Sequence, residues 1–157
     1  MIDICGANLT APQEEAIYMR FQISNGLRLQ LTEADMAQLS APEKIQSAID
    51  SGTVIAYDIF ESENLVGFAM LRPYEDNGYF LWDFAIDSRY QNQHRGTRAL
   101  KELLQMMRST YNAREISVTY LWGNDRARRV YENIGFCQTD VVDEPGNHEV
   151  NMLYVYE

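Results

Sequence analysis

From Thr53 onward the chain reads as short apolar runs separated by polar turns, the pattern of strands rather than of helices. Val54 to Phe60, Leu65 to Leu71 and Tyr79 to Ile86 are three such runs. The segments between them, Glu61 to Asn64 and Glu75 to Gly78, are rich in charge, Asn and Gly. Three strands joined by short polar turns read as an antiparallel meander. The period then changes. Leu100, Leu103, Leu104 and Met107 recur at i, i+3, i+4 and i+7, the single buried stripe of an amphipathic helix. Ile116, Val118, Tyr120 and Trp122 alternate as a strand, and Ala127, Val130, Tyr131 and Ile134 form a second helical stripe that Gly135 ends. Cys137 to Val142 and Val150 to Tyr156 close the chain as two strands around a turn at Pro145 to Asn147.

The earlier third of the chain is less periodic. Ile2 to Cys5 reads as a short strand, and Pro12 occupies a first-turn position ahead of Ala16, Ile17, Met19, Arg20 and Phe21, which predicts a helix ending at Asn25-Gly26. A second helical stretch is expected between Thr32 and Ile49, with Ser40, Pro42 and Glu43 resembling a start and Ser51-Gly52 a stop. No repeat, low-complexity tract or Pro/Gly/Ser linker interrupts the 157 residues, a length that closes one substantial core and not two. One domain spanning residues 1–157 is therefore expected, of mixed α/β (α+β) class, with helices inserted into a mostly antiparallel sheet.

Charge narrows the partners. The chain carries 13 Lys and Arg against 23 Asp and Glu, a formal net charge of -10. That balance argues against nucleic acid, whose phosphates are bound chiefly by Lys and Arg, and suits a cationic or small neutral ligand. The cations are nonetheless unevenly placed: Arg89, Arg95, Arg98, Lys101, Arg108, Arg126, Arg128 and Arg129 gather in and around the two later helices. Such clusters mark either solvated helix faces or a place for an anion at a helix start. No apolar run approaches the ~20 residues of a membrane span, and the first residues lack the basic and apolar stretches of a secretory signal, so a cytoplasmic location with no membrane partner is expected. Cys5 and Cys137 lie far apart with no C-x-x-C spacing and read as buried free thiols. His94 and His148, the only histidines, do not make a metal cluster, and no metal is expected.

The chemistry concentrates between Asp83 and Leu100, where a strand passes through a polar turn into a helix. The first helical turn leaves backbone N–H groups without internal partners, and the helix dipole favours negative charge there. Gly96 would allow close approach of a phosphate, although an ordinary strand-to-helix turn uses glycine in the same way. Neither the dinucleotide nor the P-loop fingerprint is present.

The segment Tyr90-Gln91-Asn92-Gln93-His94-Arg95-Gly96-Thr97-Arg98-Ala99-Leu100 resembles the Q/R-x-x-G-x-G/A signature of the GNAT acetyltransferases, with His94 in place of the first glycine. A non-glycine residue is penalised there if the turn needs positive φ. A second register, starting at Gln93, aligns Gly96 with the first glycine and places Arg98 at the second small position. Asn124, Ala127, Tyr131, Gly135 and Phe136 resemble the N-x-x-A-x-x-x-Y-x-x-x-G-F element of the same superfamily. Leu65 to Met70, followed by Trp82-Asp83-Phe84, is similar in wording to the polyamine branch, with Trp82 where that branch has a first acidic residue.

The resemblance implies the GNAT fold: a mixed, mostly antiparallel sheet of about six to seven strands with helices on both faces and a splayed central strand pair. It implies acetyl-CoA as cofactor, with the pantetheine arm on the backbone of Phe84, Ala85 and Ile86 and the phosphates on Gln91, Asn92, Gln93, His94, Arg95, Gly96 and Thr97. Asn124 and Tyr131 would complete that site. The implied reaction is direct acetyl transfer to a primary amine of a small, polyamine-like acceptor. Peptide or antibiotic amines, and CoA binding without turnover, are the other readings. Tyr131 is the candidate general acid, since a phenol of pKa about 10 is protonated at neutral pH. Its place on an apolar stripe equally suits a core residue, and Asn124 equally suits a helix cap. Asp83 is the candidate base, expected by alternation on one face with Leu81, Ala85 and Asp87. Glu14, Glu15, Glu33 and Asp35 are weaker candidates for an acceptor groove. The apolar closing strand, Asn151 to Tyr156, fits inside the sheet or against a second subunit, which leaves a homodimer open.

Overall fold

The computed structural model describes residues 19–157. The strand expected at Ile2 to Cys5, the start of the helix at Pro12, Glu14, Glu15 and Cys5 lie outside the described residues. Within them the chain forms β1 (Met19–Ile23), α1 (Glu33–Ala37), α2 (Pro42–Ser51), β2 (Ile55–Glu61), β3 (Asn64–Tyr74), β4 (Gly78–Ile86), α3 (Arg95–Tyr111), β5 (Glu115–Leu121), α4 (Asp125–Ile134), β6 (Cys137–Glu144) and β7 (Asn147–Val155). A 3₁₀ turn, Ser88–Tyr90, links β4 to the loop before α3.

All seven strands join one sheet in the order β1-β2-β3-β4-β5-β7-β6. The neighbouring pairs are antiparallel except β4 with β5. The meander β2-β3-β4 is as the three apolar runs and the polar turns between them predict. Two connections, β4-α3-β5 and β5-α4-β6, step across the sheet in the same direction, and right-handed crossovers then lay both helices on the same face. Ala99, Leu100, Leu103, Leu104 and Met107 of α3 and the α4 stripe accordingly pack in one core with Leu71, Leu81, Ile116 and Val118. The opposite face is covered by α2, whose Ile45 is fully buried against Ala56, Phe68 and Met70. No helix among the described residues is long and apolar enough to cross a membrane.

Several expectations are corrected. Met19, Arg20 and Phe21 belong to a strand, not a helix: β1 pairs with β2 from Met19↔Glu61 to Ile23↔Tyr57, and Phe21 meets Tyr57 edge-on at 6.1 Å. A five-residue run is too short for its period to be read, and the pairing surface of β2 decides it. The helical stretch from Thr32 to Ile49 is two helices. Thr32 caps α1 in a reciprocal capping box with Asp35, α2 starts at Pro42 after Ala41, and Gly52 ends it at φ 76°. The thiol of Cys137 is exposed rather than buried, because β6 is an edge strand whose residues mostly face solvent. The closing strand β7 lies inside the sheet, between β5 and β6.

One irregularity changes where side chains point. On β4, Asp83 pairs with Met70, but Leu81 pairs with Leu71, so Trp82 is an extra residue in a bulge. A one-residue insertion exchanges the two faces of a strand. Leu81 therefore faces the α3 core, whereas Asp83 and Ala85 lie across from Met70 and Phe68 on the α2 face. The expectation that Leu81, Asp83 and Ala85 share one face is wrong for this reason.

Candidate functional site

The parallel pair β4 and β5 is joined over Gly78↔Glu115, Tyr79↔Ile116 and Phe80↔Ser117. Beyond those pairs the two strands diverge, and the backbone of Leu81 to Ile86 that faces β5 has no strand partner. Unpaired strand backbone needs other hydrogen-bond partners. The divergence opens a cavity of about 660 Å³ lined by Phe84, Ala85, Ile86, Gln91, Gly96, Asn124 and Tyr131, among others. A second cavity of about 400 Å³ lies alongside, lined by Ser40, Trp82, Asp83 and Glu149. The two share Gln38, Leu39, Phe84, Leu121, Asn124, Ala127 and Tyr131, so they are two lobes of one cleft.

The larger lobe ends at the start of α3. The first helical bond there is from Arg98 N–H to His94 O, 3.1 Å, so the N–H groups of Arg95, Gly96 and Thr97 precede it and point out of the helix end. His94 adopts φ 63° and Asn92 φ 65°, both left-handed. The conformation that a glycine would supply is thus formed by His94 itself, and Asn and His are among the side chains that tolerate it best. Gly96 is different: its φ is not left-handed, and a Cβ placed on it would meet only Ile86 Cγ1, at 3.6 Å. Nothing in the fold demands glycine at 96. The cleft beside it does, if a ligand approaches the backbone.

Charges around this turn are paired. The buried carboxylate of Glu61 accepts from Arg95 Nε at 2.8 Å and from Arg98 at 3.0 Å. Burial pushes the Glu61 pKa up, but the two guanidinium bonds outweigh it and hold the group below its ordinary value. Asp87, 0% exposed, accepts from Arg89 and from the Gln30 backbone N–H at 2.9 Å. The Arg89 bonds lower its pKa to about 2. Asp87 thereby ties the end of β4 to the segment leading into α1. Gln91 continues the tie, donating to Ile86 O at 2.8 Å and to Asp35 Oδ2 at 3.0 Å. Burial raises the Asp35 pKa, and bonds from Gln91 and Thr32 more than reverse that. On the far wall, Arg126 donates to Asn92 Oδ1 at 2.8 Å.

The two lobes meet at Tyr131. Its ring lies 6.3 Å from Tyr120 and 5.3 Å from Phe136, and burial pushes its phenol up to about 12. Among the described residues its hydroxyl meets no hydrogen-bond partner. Asn124 caps α4, accepting from Ala127 N–H at 3.1 Å, and donates across the cleft to Gln38 Oε1 at 3.2 Å. Asp83 lines the smaller lobe and is 3% exposed. Its Oδ1 accepts from Ser40 N–H at 2.9 Å, while its Oδ2 is buried with no partner. Desolvation raises the pKa of this carboxyl, partly countered by the Ser40 bond and by Lys44.

Of the residues singled out from sequence, Phe84, Ala85, Ile86, Gln91, Gly96, Asn124, Tyr131 and Asp83 line the cleft. Asn92, Gln93, His94, Arg95 and Thr97 build the turn beside it without lining either lobe. Asp35 lines the larger lobe, and Glu33 does not. Arg126, one of the clustered cations singled out from sequence, lines the larger lobe, whereas sequence reasoning missed Gln38, Leu39 and Glu149. Gln38 and Leu39 lie in the turn between α1 and α2, inside a stretch the sequence suggested as one helix, and Glu149 is brought in only by the pairing Leu121↔Glu149.

A sheet split between two central parallel strands, with a helix start at one end of the cleft, is the architecture of the GNAT acetyltransferases. The profile of the acetyltransferase (GNAT) family matches residues 22–136, and the chain belongs to that family. A spermine/spermidine N(1)-acetyltransferase of Bacillus subtilis is 36% identical over 85 residues, 50% of this chain and 56% of that protein. The chain thus matches only about half the length of this curated relative. Two solved structures share the fold: a Bacillus subtilis acetyltransferase in complex with CoA, TM-score 0.67 at 11% identity over 89% of this chain and 100% of that one; and a GNAT acetyltransferase of Elizabethkingia anophelis with acetyl-CoA bound, TM-score 0.67 at 14% identity over 88% and 98%.

Proposed function

We propose that this protein is an acetyl-CoA-dependent N-acetyltransferase that acylates a primary amine of a small, cationic, polyamine-like acceptor. The observation that carries the reading is the two-lobed cleft, with a helix N-terminus at one end and a buried carboxylate oxygen without a partner in the other lobe. The residues fit acetyl-CoA. The β5-facing backbone of β4 at Phe84, Ala85 and Ile86 offers amide partners for a pantetheine arm, and Gly96 leaves the α3 N-terminus open to phosphate. Bound acetyl-CoA would supply an activated acyl thioester to the junction between the lobes.

The chain's own groups supply the rest. Asp83 attracts an ammonium into the smaller lobe, and its raised pKa makes it a better proton acceptor than an ordinary carboxylate, as the amine must be neutral to attack. Tyr131 stays protonated through the physiological range and can donate to a departing thiolate, which an unengaged hydroxyl at the meeting of the lobes is placed to do. Asn124 fixes the start of α4 and so the position of Tyr131 one helical face along. Direct transfer is proposed, because neither motif contains a cysteine and Cys137 lies on the exposed edge strand.

Calorimetric titration with acetyl-CoA, followed by thiol release on adding spermidine and a panel of other amines, tests the proposal. Binding with amine-dependent release supports it. Binding without release by any amine leaves a CoA-binding module, and no binding removes the reading altogether.

A further inference from the structure

The smaller lobe contains a second carboxylate that neither motif assigns. Glu149 lies on β7 across from Leu121 of β5, is half-buried, and lines the same lobe as Asp83. Among the described residues its carboxylate has no hydrogen-bond or ion-pair partner. Asp83, 3% exposed with Oδ2 unpartnered, is on β4. Between β4 and β7 runs β5, so the two acids stand two strand steps apart, ~10 Å at the usual inter-strand spacing and more where β4 and β5 diverge. The wall also includes the apolar Leu39, Phe80 and Leu121.

A single amine group at Asp83 would leave Glu149 facing the lobe with its charge unanswered. Lys44 does not answer it: that ammonium lies 5.8 Å from the Trp82 ring and acts on Asp83. Two carboxylates separated by an apolar wall are complementary to a chain of methylenes carrying a cation at each end.

We propose that Glu149 anchors the far ammonium of the acceptor, so that the acceptor class is a linear α,ω-diamine held with one end at Asp83 and the other at Glu149. This rests on the transferase reading and narrows it. The two ends then have different tasks. The amine at Asp83 gives up a proton and is acylated, whereas the amine at Glu149 keeps its charge, as an alkyl amine of pKa about 10 does at neutral pH.

The test compares α,ω-diamines of graded length with monoamines of the same length, for the full chain and for Glu149→Gln, by thiol-release kinetics and by calorimetric binding in the presence of CoA. Wild type is expected to prefer the best diamine over its monoamine by about tenfold in kcat/KM, the size of one partly screened charge-assisted contact. Glu149→Gln is expected to abolish that ratio through KM, and rising salt is expected to erode it in wild type. Thermal melting confirms that the variant is folded. Equal use of diamine and monoamine by wild type, or an equal loss of both in Glu149→Gln, overturns the proposal while the transferase reading stands. Diamine binding that depends on Glu149 without thiol release from any amine would support the site and sink the transferase reading. Absence of diamine binding would overturn the site.

Discussion

Gly96→Ala separates what the fold needs from what the cleft needs. Position 96 is in the first turn of α3, its φ is ordinary, and an added Cβ meets only Ile86 Cγ1 at 3.6 Å, an unstrained contact. Alanine is favoured over glycine in a helix by about 1 kcal/mol in the interior and by less near an end, so a gain of about 0.5 kcal/mol is expected. For a chain of 157 residues that corresponds to a rise of about 1–2 °C in Tm. The same methyl group would stand between the α3 N–H groups and a bound phosphate. Holding the phosphate even a fraction of an ångström away weakens several backbone bonds together, and a loss of acetyl-CoA affinity of at least tenfold, about 1.4 kcal/mol, is expected. Differential scanning calorimetry and titration with acetyl-CoA read the two effects separately. A variant that is more stable and binds as tightly as wild type would refute the placement of phosphate at Gly96. A variant that is less stable would refute the packing argument.

Three further outcomes follow from the same geometry. Tyr131→Phe should lower kcat by about 10²-fold or more with little change in KM for acetyl-CoA, and should leave Tm within ~2 °C because no protein hydrogen bond is lost; steady-state kinetics beside a melting curve checks both. Desolvation raises the folded pKa of Asp83, so folding favours its protonated form and the stability this gives is lost as pH rises through the folded value; Asp83→Asn should therefore be more stable than wild type at neutral pH yet turn over amines far more slowly, as denaturant titration and thiol release would show. Asp87 is the opposite case, with a folded pKa of about 2 against 3.8, so its stabilisation is present above 3.8 and lost as pH falls toward 2. Asp87→Asn should cost about 1–2 kcal/mol at neutral pH, allowing for solvent around Arg89, and the gap to wild type should close in urea titrations at progressively acidic pH.

Much of the architecture is legible in the sequence because it rests on local rules. The strand periods from Val54 onward, the two helical stripes and the glycine after Ile134 are each fixed by neighbours in the chain. The two motifs likewise locate the β4-to-α3 turn and the α4 stripe bearing Tyr131. Tertiary structure alone decides what depends on a partner strand. β1 is a strand because β2 offers it an edge, and Asp83 faces the α2 side because one extra residue at Trp82 exchanges the faces of β4. The cleft exists because β4 and β5 part after Phe80↔Ser117, a divergence that no run of residues signals. Glu149 joins Asp83 in one lobe although 66 positions separate them in the chain. Chain-local propensity acts over a few residues, whereas register and strand divergence are set by the packing of whole elements, and the second kind of information assembles the site.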